Sequence, residues 1–359
     1  MQVLGKRGRN GNLKLSEHPD FEQAILQAAE HFRDRKLRPA IIEKDYYVTE
    51  ALRVIATTSG GKVIFKGGTS LSKGWNLIQR FSEDIDIFLD PTAFQPALGK
   101  NAIDRELKKL RDAVGRHPAL SFVESESETI GGFGRNDRFS YTQHFGGPGE
   151  VVNRVLLEAG TASGREPSVI VELRSYLGQF LEEKKQSLGA EDEGQFSLRL
   201  LHFRRTFVEK MFAIHSKVEL LKRDKQPLGS YARHYYDLFE LSGHPEVGIM
   251  LRSTEYAAIK TDYDQISRGH FPKSYFFPEG MSFAHSDAFF PPSELAAAIG
   301  VEDEAQCGML CYGDYPSWTE VQARFLEPPV ESSSNQGCTS RQSNVLFYAA
   351  ISVLCPVNA

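Results

Sequence analysis

No cysteine precedes residue 307; the four present are Cys307, Cys311, Cys338 and Cys355. Their spacings match no standard zinc pattern and no histidine pair accompanies them, so reduced thiols of a cytoplasmic protein are expected rather than a disulfide scaffold or a zinc site. Long apolar runs are missing too. A bilayer span needs ~18–20 apolar residues, and the tail segment VLFYAAISVLC falls short of that. The opening MQVLGKRGRNGNLKL has no apolar stretch of the kind a secretory leader carries. No membrane association is expected. Positive charge is not in excess either: the net charge is −5, so any nucleic-acid contact must use a local basic patch. No internal repeat is present.

What is present reads as an α+β chain. Its 359 residues suit about two domains. Residues 19–33 and 39–57 have the periodicity of amphipathic helices, and Pro39 suits the first turn of the second. VIFK (63–66) reads as a short buried strand, GGTS as a turn, SLSKGWNLIQR as a helix weakened by Gly74, and EDIDIFLD as a strand of period two. A charged helix is expected over 100–116. SFVESESE, DRFSYTQHF, VVNRVLLEAG and SVIVELRSYL are further strand candidates, separated by glycine-rich turns. After about 180 a polar linker leads to two helices, LLHFRRTFVEKMFAIHSKVELLK and SYARHYYDLFELSG, and then to mixed helices and aromatic loops. The division expected is 1–185 for the sheet-bearing domain, 196–328 for a mainly helical domain that closes a cleft, and 329–359 for a disordered or non-native tail.

The stretch FKGGTSLSKGWNLIQRFSEDIDIF carries the chemistry. Alternation puts Asp84, Asp86 and Phe88 on one strand face and Ile85, Ile87 and Leu89 in the core. Two neighbouring carboxylates repel, and a positive group must offset them. A divalent ion is the usual partner of a D-x-D pair, and Mg²⁺ takes one or two protein carboxylates while leaving positions for phosphate and water. Gly67 and Gly68 let backbone approach a ligand, and the start of the following segment, at Thr69 and Ser70, favours an anion. A basic stretch over 199–233 includes Lys210, which lies beside the apolar stripe of its helix. Arg233 and Asp237, four apart on a helix, are spaced for an ion pair.

Strand, Gly-Gly-Thr/Ser, helix and D-x-D strand in that order resemble the polymerase-β-like nucleotidyltransferases, although fifteen residues separate Gly68 from Asp84, more than is usual there. That fold supplies a third carboxylate from a neighbouring strand. Glu158 in RVLLEAG and Glu172 in VIVELRSY are the candidates, each with an arginine, Arg154 or Arg174, nearby in sequence; Glu158 is favoured. More specifically, the chain resembles the AbiEii/AbiGii nucleotidyltransferase toxins from about residue 39 to about 325. The likeness rests on IEKDYYVTEALR, FKGGTSLSK…RFSEDIDIF, RVLLEAG, RTFVEKMFAIH, ARHYYDLFEL and YGDYPSWTEV.

The resemblance implies an enzyme that moves NMP from an NTP onto an acceptor hydroxyl with Mg²⁺ and releases pyrophosphate. Asp84, Asp86 and Glu158 would hold the metal. Gly67 to Ser70 and Lys73 would bind the nucleotide, Lys210 would contact the triphosphate, and Asp237 would organise the site. It also implies a toxin with a cognate antitoxin and tRNA as a candidate acceptor. A small-molecule or protein acceptor, or a nucleotide-binding module without turnover, are the alternatives. One departure is His234, which stands where many relatives carry an acid after the arginine of the closing helix.

Overall fold

A computed structural model describes residues 13–82, 84–146 and 151–326. The described chain divides into two compact units, 13–76 with 81–201 and 77–80 with 202–326. The tail from 329 lies outside the described residues.

The first unit is a mixed eight-stranded sheet with helices, in keeping with the α+β reading. Its strands are β1 (Val63–Lys66), β2 (Asp84–Leu89), β3 (Ser121–Phe122), β4 (Glu128–Ile130), β5 (Gly134–Ser140), β6 (Arg154–Gly160), β7 (Ser168–Leu173) and β8 (Phe196–Leu201). Their order is β3-β5-β6-β2-β1-β8-β7, with β4 also paired to β5. β1 runs antiparallel to β2, β2 parallel to β6, and β6 antiparallel to β5. The helices are α1 (Phe21–His31), α2 (Pro39–Ser59), α3 (Gly67–Thr69), α4 (Lys100–Val114) and α5 (Tyr176–Glu183).

Strand alternation works as expected in β2: Ile85, Ile87 and Leu89 are buried. Phe88 differs. It leaves the polar face at residue 86 and packs with Ile64 and Leu201, so the acidic face of β2 is only two residues long.

Three local expectations are corrected. The helix expected over 70–80 is instead α3 with one π-turn, Ser70–Gly74. Gly74 has no room for a side chain because Leu200 lies against it, and Asn76 takes a positive φ of 52°, which stops the turn. Residues 196–201, expected to belong to the helical part, form β8 and pair with β1 and β7, so the sheet unit runs to 201. The end of SVIVELRSYL is the start of α5, capped by Ser175.

Helix α2 is pinned by charges rather than by an apolar stripe alone. Glu43, fully buried, accepts from the backbone N–H groups of His144 and Phe145. Lys44, also fully buried, donates to the carbonyls of Val152 and Arg154 at the start of β6. Asp45 accepts from Lys73 and from the N–H of Tyr176. The EKD triplet thus fastens four segments of the sheet unit, two of them through Asp45.

The second unit is helical: α6 (Phe203–Asp224), α7 (Arg233–Ser242), α8 (Pro245–Leu251), α9 (Thr254–His270), α10 (Ser293–Leu310) and α11 (Trp318–Leu326). The His202 side chain accepts from the N–H of Arg204 and so starts α6. Phe207, Met211, Phe212 and Ile214 of α6 are buried. Among the described residues no helix is long and apolar enough to cross a membrane.

Candidate active site

Backbone pairing brings the acids together. Asp86 of β2 stands in register with Glu158 of β6, and Lys66 of β1 stands in register with Asp86 on the other side. Partners in register project to the same face. Asp84, two residues earlier on β2, shares that face. Four strands therefore present one polar row, Lys66–Asp86–Glu158–Asn136, with Asp84 beside it.

The electrostatics follow from this crowding. Burial, and then the charges of Asp86 and Asp84, raise the Glu158 carboxyl to about 7, with Lys66 opposing. Lys66 Nζ lies 3.8 Å from Asp86 Oδ1. Sequence reasoning missed Lys66, which looked like the last residue of a buried strand; only the antiparallel register of β1 on β2 aims it at the acids.

The Gly-Gly turn is fitted to Asp86. Gly67 has φ of +76°, and a Cβ built there would come within 1.9 Å of Asp86 Oδ2 and 2.7 Å of its Cγ. No other residue type fits. Thr69 and Ser70 are buried, and their hydroxyls face inward. Thr69 Oγ1 donates to the Asp84 carbonyl at 2.6 Å, and Ser70 Oγ donates to the Gly67 carbonyl at 2.9 Å. These side chains fasten the turn to β2 and leave the glycine backbone to approach a ligand. Lys73 has other partners: its Nζ is 2.6 Å from Asp45 Oδ1 and 3.1 Å from the Arg174 carbonyl.

Glu172 stands apart from the acids, on the edge strand β7, where it accepts from the Ser197 hydroxyl. Neither Glu158 nor Glu172 takes the arginine near it in sequence; Arg154 turns to Glu126 and Arg174 to Glu182.

Within the second unit, Asp237 of α7 is fully buried between two cations. Arg80 grips it with two hydrogen bonds of 2.7 and 2.8 Å, and Lys210 Nζ lies 2.7 Å from its Oδ2. Burial pushes the Asp237 carboxyl up, but Arg80 and Lys210 outweigh it and hold it well below the ordinary range. Burial lowers Lys210, with Asp237 opposing and Arg80 adding to the fall. His234 is pushed down to about 3, first by burial and then by Lys210. It is therefore neutral at physiological pH, and its Nδ1, 3.2 Å away, accepts from Lys210. An acid at this place would add a second negative charge beside Lys210. The structure thus gives Asp237 the distant Arg80 as well as Lys210, where the helical spacing had offered Arg233.

The family model for the nucleotidyl transferase AbiEii toxin of a Type IV TA system matches residues 51–301. The chain belongs to this AbiEii family. It is a nucleotidyltransferase of the toxin–antitoxin class, and the family carries with it an NTP substrate and an antitoxin partner. No curated protein matches the chain. A solved structure, MenT4, a nucleotidyltransferase toxin from Mycobacterium tuberculosis H37Rv, is similar at 15% identity over 77% of this chain and 98% of that one, with a TM-score of 0.34.

AbiEii-type nucleotidyltransferases generally use a divalent metal. Among the described residues no three His, Cys, Asp or Glu side chains are grouped to hold an ion by themselves. The donor set still fits a hard cation. Asp84, Asp86 and Glu158 offer only carboxylate oxygens on one face, their mutual repulsion leaves Glu158 raised, and Mg²⁺ typically takes one or two carboxylates and completes its shell with phosphate and water.

Proposed function

We propose that this AbiEii-family enzyme transfers NMP from an NTP to an acceptor hydroxyl of tRNA, using Mg²⁺ held by Asp84, Asp86 and Glu158. The observation that carries the reading is the register of Asp86 with Glu158, two strands joined so that their carboxylates share one face beside the Gly67 turn. When bound, the metal supplies positive charge to the phosphate that is attacked and to the departing pyrophosphate.

The chain's own groups do the rest. Gly67 lets the turn close against the Asp86 carboxylate, and the backbone of this turn is the candidate phosphate contact. Glu158, in register with Asp86, is the group placed to take the acceptor hydroxyl's proton on its carboxylate. The acceptor oxygen forms its bond to the α-phosphorus as the bond to pyrophosphate breaks. Lys66 holds the Asp86 carboxylate in place. Within the second unit, Asp237 fixes the position of the Lys210 ammonium.

The test incubates the protein with each labelled NTP, Mg²⁺ and total tRNA. Label on tRNA that disappears with Asp86→Asn is expected. Label confined to small molecules would refute the tRNA acceptor, and undiminished transfer by the variant would refute the assignment of the acids.

A further inference from the structure

The polar face does not end at Glu158. Asn136 of β5 is in register with Glu158, Arg138 with Leu156, and Ser140 with Arg154. All six residues are half-buried, whereas the intervening Val155, Leu157, Ala159, Asp137 and Phe139 are buried. The face that bears the acids therefore runs on over β6 and β5, away from β1 and the Gly67 turn.

Two side chains on this extension are unspent. Asn136 makes no side-chain hydrogen bond among the described residues. Arg138 has no carboxylate partner there; its only bond is from Nη1 to the Glu126 carbonyl, at 2.8 Å. The neighbouring Arg154, by contrast, is committed to Glu126 and Asn153. A half-buried guanidinium without an acid, two residues along from an unpaired amide, is the complement of a phosphate followed by a sugar hydroxyl.

We propose that Asn136 and Arg138 form the subsite for the acceptor strand, a single-stranded RNA end, with Asn136 on the terminal ribose beside Glu158 and Arg138 on the adjoining phosphate. The proposal rests on the transferase reading above. The topology separates the two substrates: nucleotide phosphate on the β1 side of the acids, where Gly67 opens the backbone, and acceptor on the β5 side. Adjacent strands lie about 4.8 Å apart, so the Asn136 amide is one strand from the carboxylate that takes the proton.

The experiment measures binding of bulk tRNA to the full chain over a salt series, with NTP binding measured alongside. Arg138→Ala is expected to weaken tRNA binding about five- to tenfold, the loss of one charge-assisted contact, and to reduce the log–log salt slope by about 0.7, one phosphate on a single strand. Arg138→Lys should restore most of both, and NTP binding should stay as in the parent. Asn136→Ala should raise the KM for tRNA and leave the KM for NTP unchanged. Equal tRNA affinity and equal salt slope in the parent and Arg138→Ala would overturn the subsite, as would a parent that does not bind tRNA. Asp86→Asn separates the two readings. Transfer lost in that variant, together with tRNA kinetics indifferent to Arg138→Ala, would overturn the subsite alone. Transfer that survives in Asp86→Asn would overturn the reaction assignment beneath it.

Discussion

Replacing Gly67 by alanine tests whether the turn and the D-x-D strand form one device. Two costs are expected, and they can be measured apart. The first is backbone strain: at φ of +76° a residue with a Cβ costs about 1–3 kcal/mol. The second is collision. The new methyl group would lie 1.9 Å from Asp86 Oδ2, 2.7 Å from Cγ and 3.1 Å from Cβ, so the whole carboxylate must move rather than only its tip. Relief takes a shift of about 1 Å or more, and misplacing a reacting group by that much costs on the order of 100-fold in rate. Gly60 supplies the control. It too has a positive φ, +55°, but nothing lies within 4 Å of a Cβ there. Urea unfolding should show a loss of stability in both variants, the larger in Gly67→Ala. Turnover of labelled NTP, per folded molecule, should collapse only in Gly67→Ala. Full turnover in Gly67→Ala, or an equal loss in Gly60→Ala, would refute the argument that Gly67 is glycine for the sake of Asp86.

Asp237→Ala leaves Arg80 and Lys210 buried without their counter-charge, and should destabilise the protein by about 3–5 kcal/mol in chemical denaturation; a loss below about 1 kcal/mol would mean that water compensates both cations. Glu158→Gln should abolish transfer while Glu172→Gln, on the edge strand, leaves it intact, and the reverse pattern would exchange their roles. The raised Glu158 gives a pH signature. Its folded value of about 7 lies above the ordinary 4.5, so the folded state holds the proton more tightly. The stability that this one group contributes should therefore be fully present below about 4.5 and be lost as pH rises through 7, by roughly 1–3 kcal/mol. Urea midpoints taken in EDTA at pH 5 and pH 8 should show that fall in the parent and a smaller one in Glu158→Gln; parallel curves in the two proteins would refute it.

What the sequence reveals depends on the range of the forces involved. Alternation in β2 is a local property, and it correctly places Ile85, Ile87 and Leu89 inside. The break after Gly74 is less visible, because it is made by Asn76, a residue ordinary in its segment that takes a φ of +52°. β8 is hidden for a related reason: Leu198, Leu200 and Leu201 abut the apolar start of α6, and only pairing with β1 and β7 separates strand from helix. Buried charge is the least legible. Glu43, Lys44 and Asp45 look like the polar face of an amphipathic helix, yet each meets a partner far along the chain, as Lys44 meets Val152.

The same reasoning explains why the acids were legible and their surroundings were not. A D-x-D pair is anomalous in itself: two repelling charges on a strand need an external partner, and that need can be read without knowing the fold. Lys66, Asn136 and Arg138 are unremarkable in their own segments. They acquire meaning only from register, since Lys66 meets Asp86 across one antiparallel pair and Asn136 meets Glu158 across another. A slip of one residue in β5 would turn Asn136 and Arg138 to the buried face and bring Arg135 and Asp137 to the acids. That alternative is blocked by the Arg135–Asp137 ion pair, which is buried and shares the Ser127 hydroxyl, and by Phe139, which is fully buried. The residues that lock the register of β5 are therefore what hold Asn136 beside Glu158, so a variant that loosens this pair, Asp137→Ala, should impair the acceptor side of the reaction before the nucleotide side.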